Sequence, residues 1–250
     1  MILEDAQELA AEEENYFVSM TDLMVGLVFV FIILLMYFAM QFQDVTEELT
    51  GATKTRTEIL EQLQQTLKER GVEVNIDRQD GVLRLPDSIL FDSGQSVLKP
   101  EGRDAVAHLA DALNDVLPCY SAGVPRRGTC PSSEHRIESV YVEGHTDSDH
   151  YAGSGGLRDN WDLSVVRATN TYRALIDFKP LLGVLCARKA ERCDPVLSVS
   201  GYGPQRPVPD RFGTEDEKKT RNRRIDLRLI MMTPDTGETR RAVANRISKR

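Results

Sequence analysis

The first 53 residues of this chain contain no lysine or arginine, and the first basic residue is Lys54. A cleaved secretion signal needs a basic start and a short apolar core, so we expect the N-terminal apolar segment to be retained as an anchor. The chain of 250 residues carries a formal net charge of -8, which argues against bulk nucleic-acid binding. We therefore expect no direct nucleic-acid partner.

Motifs for catalysis and metal binding are also missing. The sequence has no CxxC pair and no phosphate-binding glycine-rich loop, and no nucleophile with a paired acid and base accompanies His150 and Tyr151. The sequence therefore predicts a protein without enzyme activity, metal site or cofactor.

The chain has only four cysteines, which form two close pairs in sequence, Cys119 with Cys130 and Cys186 with Cys193. Disulfides that close such short loops suit an oxidising compartment such as the bacterial periplasm. Of the three possible connectivities we expect the local one, and four reduced thiols are the alternative.

One long apolar run, residues 23–40, follows Asp22, the only charged residue between 16 and 42. A run of this length crosses a bilayer core of about 30 Å as one helix. A carboxylate inside it costs about 2.5–3.5 kcal/mol, so Asp22 either lies shallow as a helix cap or has a function. Ser19 and Gly26 share its helical face, and the glycine would admit a neighbouring helix. We favour an ion-accepting carboxylate, with a proton as the expected ion and sodium as the alternative.

Composition divides the chain into five segments. They are an acidic tail at 1–15, a transmembrane helix at 16–42, a helical neck at 43–70, a mixed domain at 71–233 and a basic tail at 234–250. Apolar residues at three-four spacing predict the neck, which is either a short paired coil or a passive stalk. The positive-inside rule alone would place the C-terminal part in the cytoplasm, whereas the cysteines place it in the periplasm.

Hydrophobic periodicity in the domain predicts an α+β fold, a mixed sheet with helices on one face. A hairpin is expected at 72–85 around Asp80 and Gly81. The further predicted elements are helices at 100–117 and 161–178 and strands at 137–142, 195–200 and 224–232. Long loops are predicted at 118–134, 146–160 and 202–219.

Five short blocks in this domain resemble the OmpA-like peptidoglycan-binding domain. They are FDSG at 91–94, EGHTD at 143–147, LSVVRA at 163–168, GYG at 201–203 and RNRRI at 221–225. The resemblance implies a groove for the diaminopimelate side of the peptidoglycan stem peptide. In that groove Asp147 would bind the ligand ammonium and Arg167 a ligand carboxylate. The other residues expected to line it are Asn160, Leu163 and Arg223.

Two points of this resemblance stay open. From the residues alone, Asp147 and Arg167 are equally consistent with an internal ion pair that holds strand to helix. The segment 148–159 is longer than is usual in the family, so it is expected to cover or reshape the groove. His145 is expected to be a structural, hydrogen-bonding residue.

An OmpA-like domain behind one span with a single Asp resembles the B subunits of bacterial stators, including the flagellar MotB type. Residues 16–27, YFVSMTDLMVGL, look most similar to the B subunits of Zorya anti-phage defence systems. The resemblance implies a homodimer inside a ring of five multi-span A subunits, with cytoplasmic defence effectors reached through the A subunit. It also implies an inner-membrane protein with a cytoplasmic N-terminus and a periplasmic domain. The alternatives are a flagellar-type stator subunit and a static peptidoglycan tether.

Overall fold

The computed structural model describes residues 2–125, 130–131, 133, 135–153, 155–187, 193–209 and 212–233. Side chains are described from residue 20 onward, except at 44, 45 and 47–49. The predicted basic tail at 234–250 lies outside the described residues. The chain divides into two compact units, residues 1–50 and 51–250.

The first unit is helical and belongs to helix α1, which runs from Ile2 to Glu69. Within it, Met20–Gln43 is long and apolar enough to cross a membrane. Its large apolar side chains are exposed all around the helix, and their exposed fractions range from 47% at Met20 to 74% at Phe42. A helix that is apolar on every side needs either lipid or other protein around it. This segment lies within a few residues of the span predicted at 16–42.

The second unit begins inside α1, twenty residues earlier than the domain start predicted at 71. Ile59, Leu60, Leu63 and Leu67 are fully buried and belong to the same apolar cluster as the sheet. The predicted neck at 43–70 is therefore not a free linker along its whole length. Its apolar stripe packs on the chain's own domain. The sequence pattern did not distinguish this arrangement from a paired coil, since an apolar stripe is buried equally well by a sheet or by a second helix.

Five strands form one mixed sheet in the order β1-β2-β5-β3-β4. The strands are β1 (Asn75–Asp77), β2 (Val82–Pro86), β3 (Ile137–His145), β4 (Leu197–Gly201) and β5 (Arg224–Met231). β3 and β4 are parallel, and the other neighbours are antiparallel. The α+β fold class and the predicted hairpin are confirmed.

The two faces of the sheet differ in chemistry. Ile225, Leu227 and Leu229 of β5 point into the apolar core. The alternate residues of the same strand are Arg224, Asp226 and Arg228, so the opposite face carries charge.

The longer helices pack on the sheet. They are α3 (Pro100–Val116) and α4 (Asn160–Phe178); α4 packs on β3 and β4, and α3 packs on α4. Asp159 caps α4 by accepting hydrogen bonds from the amides of Trp161 and Asp162. Gly144 allows α4 to approach β3, because a Cβ there would lie 2.0 Å from the carbonyl oxygen of Ser164. Both helices agree with the predicted ones to within one residue.

Two short helices were not predicted. Helix α2 is a single turn, Asp87–Leu90, between β2 and α3. Helix α5 (Glu215–Asn222) begins inside the stretch predicted as a loop at 202–219 and runs three residues past its end. Its start is a capping box, in which Thr214 and Glu217 bond to each other's backbone amides. That signature, Thr followed three residues later by Glu, is present in the sequence.

The structure pairs Cys119 with Cys130 and Cys186 with Cys193. The two bridged loops lie side by side, since the amide of Ala122 donates to the carbonyl of Cys186 and the amide of Cys186 donates back. This junction lies where β3 and β4 begin, at the end of the sheet away from Asp147.

Candidate functional site

The strand order brings three separated parts of the chain to one edge of the sheet. Arg224, the first residue of β5, pairs with Pro86 at the end of β2 and with His145 at the end of β3. Asp87, Asp147 and Arg223 lie next to these strand ends in sequence. They therefore meet at the same edge.

Asp147 forms a partly exposed ion pair at this edge. One of its carboxylate oxygens accepts from Arg223 Nη1 at 2.5 Å, and the other accepts from the amide of Asp149 at 3.1 Å. The Arg223 side chain is 38% exposed and that of Asp147 is 11% exposed. The more exposed member of this ion pair is therefore the arginine.

Arg167 lies in α4 and is 2% exposed. Its guanidinium donates to Asp87 Oδ2 at 3.0 Å, to the carbonyl of Gln95 at 2.7 Å and to that of Asp92 at 3.3 Å. Asp147 and Arg167 therefore do not form the internal ion pair considered from the sequence. Arg167 pairs with Asp87, and Asp147 pairs with Arg223.

Asp87 is the site residue that sequence reasoning missed. It is 80 residues from Arg167 in sequence, and no spacing rule connects positions so far apart. Burial raises the pKa of Asp87 from 3.8 to about 6, against the opposing effects of Arg167 and Arg223. Burial likewise lowers the pKa of Arg167, against the attraction of Asp87. The pair is therefore held at a desolvation cost.

The other two predicted groove residues, Asn160 and Leu163, have different surroundings. The side-chain amide of Asn160 donates to the carbonyl of Asp149 at 2.7 Å, which places Asn160 beside the Asp147 turn. Leu163 is 4% exposed and so contributes to the packing beneath the site. Their contact with a ligand stays a prediction.

The long segment after Asp147 bridges both sides of the site. Asp149 forms an ion pair of 2.7 Å with Lys219 of α5. Tyr151 donates its hydroxyl to the carbonyl of Gly94 at 3.3 Å, on the loop that also contacts Arg167. This segment therefore contacts both the loop at Gly94 and helix α5, and its role over a groove stays a prediction.

A second charged cluster lies on the opposite face of the sheet from the core. Glu143, His145 and Asp226 are almost fully buried and lie close enough together to share a cation. Arg228 and Arg224 already donate to the two carboxylates at 2.9–3.0 Å. These arginines supply the compensating positive charge, so the cluster has the character of an internal ion network.

The hydrogen-bonding role expected of His145 stays a prediction. Its Nε2 lies 3.5 Å from Asp226 Oδ2 and 3.9 Å from Glu143 Oε2. The ring also stacks on Tyr202 with 5.4 Å between centroids. Burial lowers the pKa of His145, which keeps the imidazole neutral at pH 7. Its role is structural through packing.

In the first unit, Asp22 lies on an exposed helical surface and is the only charged side chain in Met20–Gln43. Nothing lies within 4 Å of the position of a Cβ on Gly26, one turn further along. This surface is open to another helix. The side chain of Ser19 lies outside the described residues.

The described elements define a class of protein. Its members have an apolar N-terminal helix that carries one carboxylate, followed by an α+β domain with paired opposite charges. No protein-family model matches the chain. It is 23% identical to Zorya protein ZorB of Escherichia coli over 230 residues, 88% of this chain and 89% of that protein. It is 27% identical to motility protein B of Bacillus subtilis over 162 residues, 65% of this chain. The chain spans 49% of the length of motility protein B.

Among solved structures, a MotB-like protein from Desulfovibrio vulgaris is 22% identical, with a TM-score of 0.49 over 72% of this chain and 96% of that one. The resemblance predicted from the motifs is confirmed by these relatives: the chain is similar in sequence to motility protein B over 65% of its length and to ZorB over 88%.

Proposed function

We propose that the chain is the B subunit of an ion-driven, inner-membrane motor that is anchored to peptidoglycan and acts in anti-phage defence. In this arrangement two copies lie inside a ring of five multi-span A subunits, which connect to the cytoplasmic effectors. The N-terminus is cytoplasmic, the domain is periplasmic, and the chain acts without enzymatic chemistry of its own.

Asp22 accepts the driving ion, which we propose is a proton. A lone carboxylate in an apolar helix is costly when charged and is stabilised when it takes up a proton or meets a polar partner. A proton that moves through about 100 mV releases about 2.3 kcal/mol. The A subunits would use this energy as the carboxylate alternates between its two states.

The domain holds the peptidoglycan stem peptide through opposite charges. Diaminopimelate carries an ammonium and a carboxylate on one carbon, so its recognition needs an anion and a cation close together. Asp147 would bind the ammonium and Arg167 the carboxylate, with Asn160 and Arg223 at the rim and Leu163 below. In the free protein Arg167 is paired with the carboxylate of Asp87, and Asp147 is paired with the guanidinium of Arg223. Each binding group thus already contacts a charge of the sign that the ligand would bring.

The observation that carries this proposal is the relation to ZorB over 88% of the chain, which includes both the apolar helix and the domain. A domain-only relation would support a wall anchor but not a motor. The proposal is tested by isolating the chain in mild detergent from its native cells and counting subunits by native mass spectrometry.

The expected result is a stable complex with a multi-span partner in excess over two copies of this chain. Recovery of the chain without an integral-membrane partner would favour a static tether. The flagellar alternative is separated by swimming in soft agar, which a defence motor should leave unchanged when its gene is deleted.

A further inference from the structure

The loop at residues 92–96 is held in place by side chains that bond to its backbone carbonyls. Arg167 donates to the carbonyls of Asp92 and Gln95, and Asn170 donates to that of Ser96. Tyr151 donates to the carbonyl of Gly94. Three of these bonds come from α4, and the fourth comes from the long segment after Asp147.

Tyr151 lies on Gly94, in the loop that accepts hydrogen bonds from Arg167. Its ring carbon Cε2 lies 3.7 Å from the position that a Cβ on Gly94 would occupy. The Tyr151 hydroxyl and the Arg167 guanidinium therefore bond to carbonyls of the same short loop, at residues 92, 94 and 95.

In the free protein Arg167 uses three of its five N–H donors. Its side chain is 3% exposed, and its three hydrogen bonds go to Asp87, Gln95 and Asp92. Because the guanidinium is buried, a ligand carboxylate can reach the two remaining N–H groups only when a group that covers them moves aside. The bond to Asp92 is the longest at 3.3 Å, and Asp92 belongs to the loop that Tyr151 holds. Ligand entry at Arg167 thus involves Tyr151.

We propose that Tyr151 is an additional ligand-binding residue, whose hydroxyl leaves the Gly94 carbonyl and donates to the ligand carboxylate held by Arg167. This inference rests on the proposed peptidoglycan-binding function and deepens it. The exchange favours the ligand, because a hydrogen bond to a charged carboxylate is stronger than one to a neutral carbonyl. Tyr151 would then select stem peptides that carry the diaminopimelate carboxylate.

The test compares two stem peptides that differ only at this carboxylate. One contains diaminopimelate, and the other contains lysine, which keeps the ammonium but lacks the carboxylate. Each is titrated by calorimetry into the full-length chain in detergent, as wild type and as Tyr151→Phe. Tyr172→Phe, a partly buried tyrosine packed on the apolar core, is the matched control.

We expect Tyr151→Phe to weaken binding of the diaminopimelate peptide about tenfold and to leave the lysine peptide unchanged. The control should bind both peptides as the wild type does. Unchanged or tighter binding of the diaminopimelate peptide would overturn the inference, since a residue that only holds the loop closed would release Arg167 when removed. An equal loss for both peptides would also overturn it.

The two proposals fail in different ways. If the wild-type chain binds neither peptide, the proposed wall-binding function fails and Tyr151 has no ligand to contact. If the wild type binds the diaminopimelate peptide and Tyr151→Phe binds it as tightly, only the role of Tyr151 fails.

Discussion

Residues 20–43 and 51–69 belong to the same helix, yet their side chains have different surroundings. In the first segment apolar side chains are exposed on every side of the helix. In the second, the apolar side chains Ile59, Leu60, Leu63 and Leu67 form one stripe that is fully buried. The comparison shows which apolar surface the chain buries by itself and which one requires lipid or another protein.

The carboxylates of the two units differ in the same way. Asp87 and Asp147 of the domain each pair with an arginine of the same chain. Met20–Gln43 contains Asp22 and no second charged residue. No ion pair within this segment therefore compensates the charge of Asp22.

The largest effect is expected for Asp22→Asn. This change removes the titratable group but keeps its volume, so it should abolish protection against phage while the complex still assembles. The measurement is plaque formation on cells that carry each variant. Asp44→Asn, just beyond the apolar segment, is the control and should protect fully. Full protection by Asp22→Asn would contradict the role of Asp22 as ion acceptor.

Leu63→Ala should destabilise the domain, whereas the same change in the exposed apolar segment should not. Truncating a fully buried leucine lowers the free energy of unfolding by about 2–5 kcal/mol. Leu34→Ala, in the exposed apolar segment, should leave unfolding of the domain unchanged. Thermal unfolding can be followed by the fluorescence of Trp161, the only tryptophan. Equal midpoints for the two variants would mean that residues 51–69 do not stabilise the domain.

Asp87 should make the stability of the domain depend on pH. Because burial raises its pKa from 3.8 to about 6, the folded chain binds this proton more tightly than the unfolded chain. The stabilisation from protonated Asp87 is present below about pH 4 and is lost as the pH rises through about 6, a change of about 3 kcal/mol.

Asp87→Asn should remove this dependence, which unfolding midpoints between pH 4 and pH 7 would reveal. Asp162→Asn is the control, since Asp162 is exposed and its ion pair with Arg158 lowers its pKa to about 2. A pH profile of Asp87→Asn that matches the wild type would disprove the assignment.

The smallest effect is expected for wall binding by Asp147→Asn. Loss of one charge-assisted contact to the ligand ammonium should weaken binding about tenfold. Sedimentation with purified peptidoglycan measures it, and Asp162→Asn again serves as the control. Undiminished sedimentation of Asp147→Asn would remove Asp147 from the binding site and leave its ion pair with Arg223 as a structural feature.

Several elements were predictable because their signals are local. The hairpin around Gly81, helix α3 with Pro100 at its first position, and the apolar segment each follow from residues close together in sequence. The start of α5 had a local signal too, the capping box of Thr214 and Glu217, and was predictable in principle.

The partner of the stripe at 59–67 was not predictable from its pattern. Periodicity states that one side of a helix is apolar, but it does not state what covers that side. Here the stripe belongs to the same buried cluster as Leu85 of β2 and Leu113 of α3. For this reason the domain start predicted from the helix pattern, residue 71, lies after the start of the second unit at residue 51.

The sequence by itself determined that the chain has one apolar helix with a single carboxylate, a mixed α+β domain and motifs that resemble those of OmpA-like domains. Only the tertiary structure decided that Asp87 is the partner of Arg167, that Arg223 is the partner of Asp147 and that Tyr151 reaches Gly94. The reason is topological. β5 enters the sheet between β2 and β3, and that placement brings together charges that are distant in sequence.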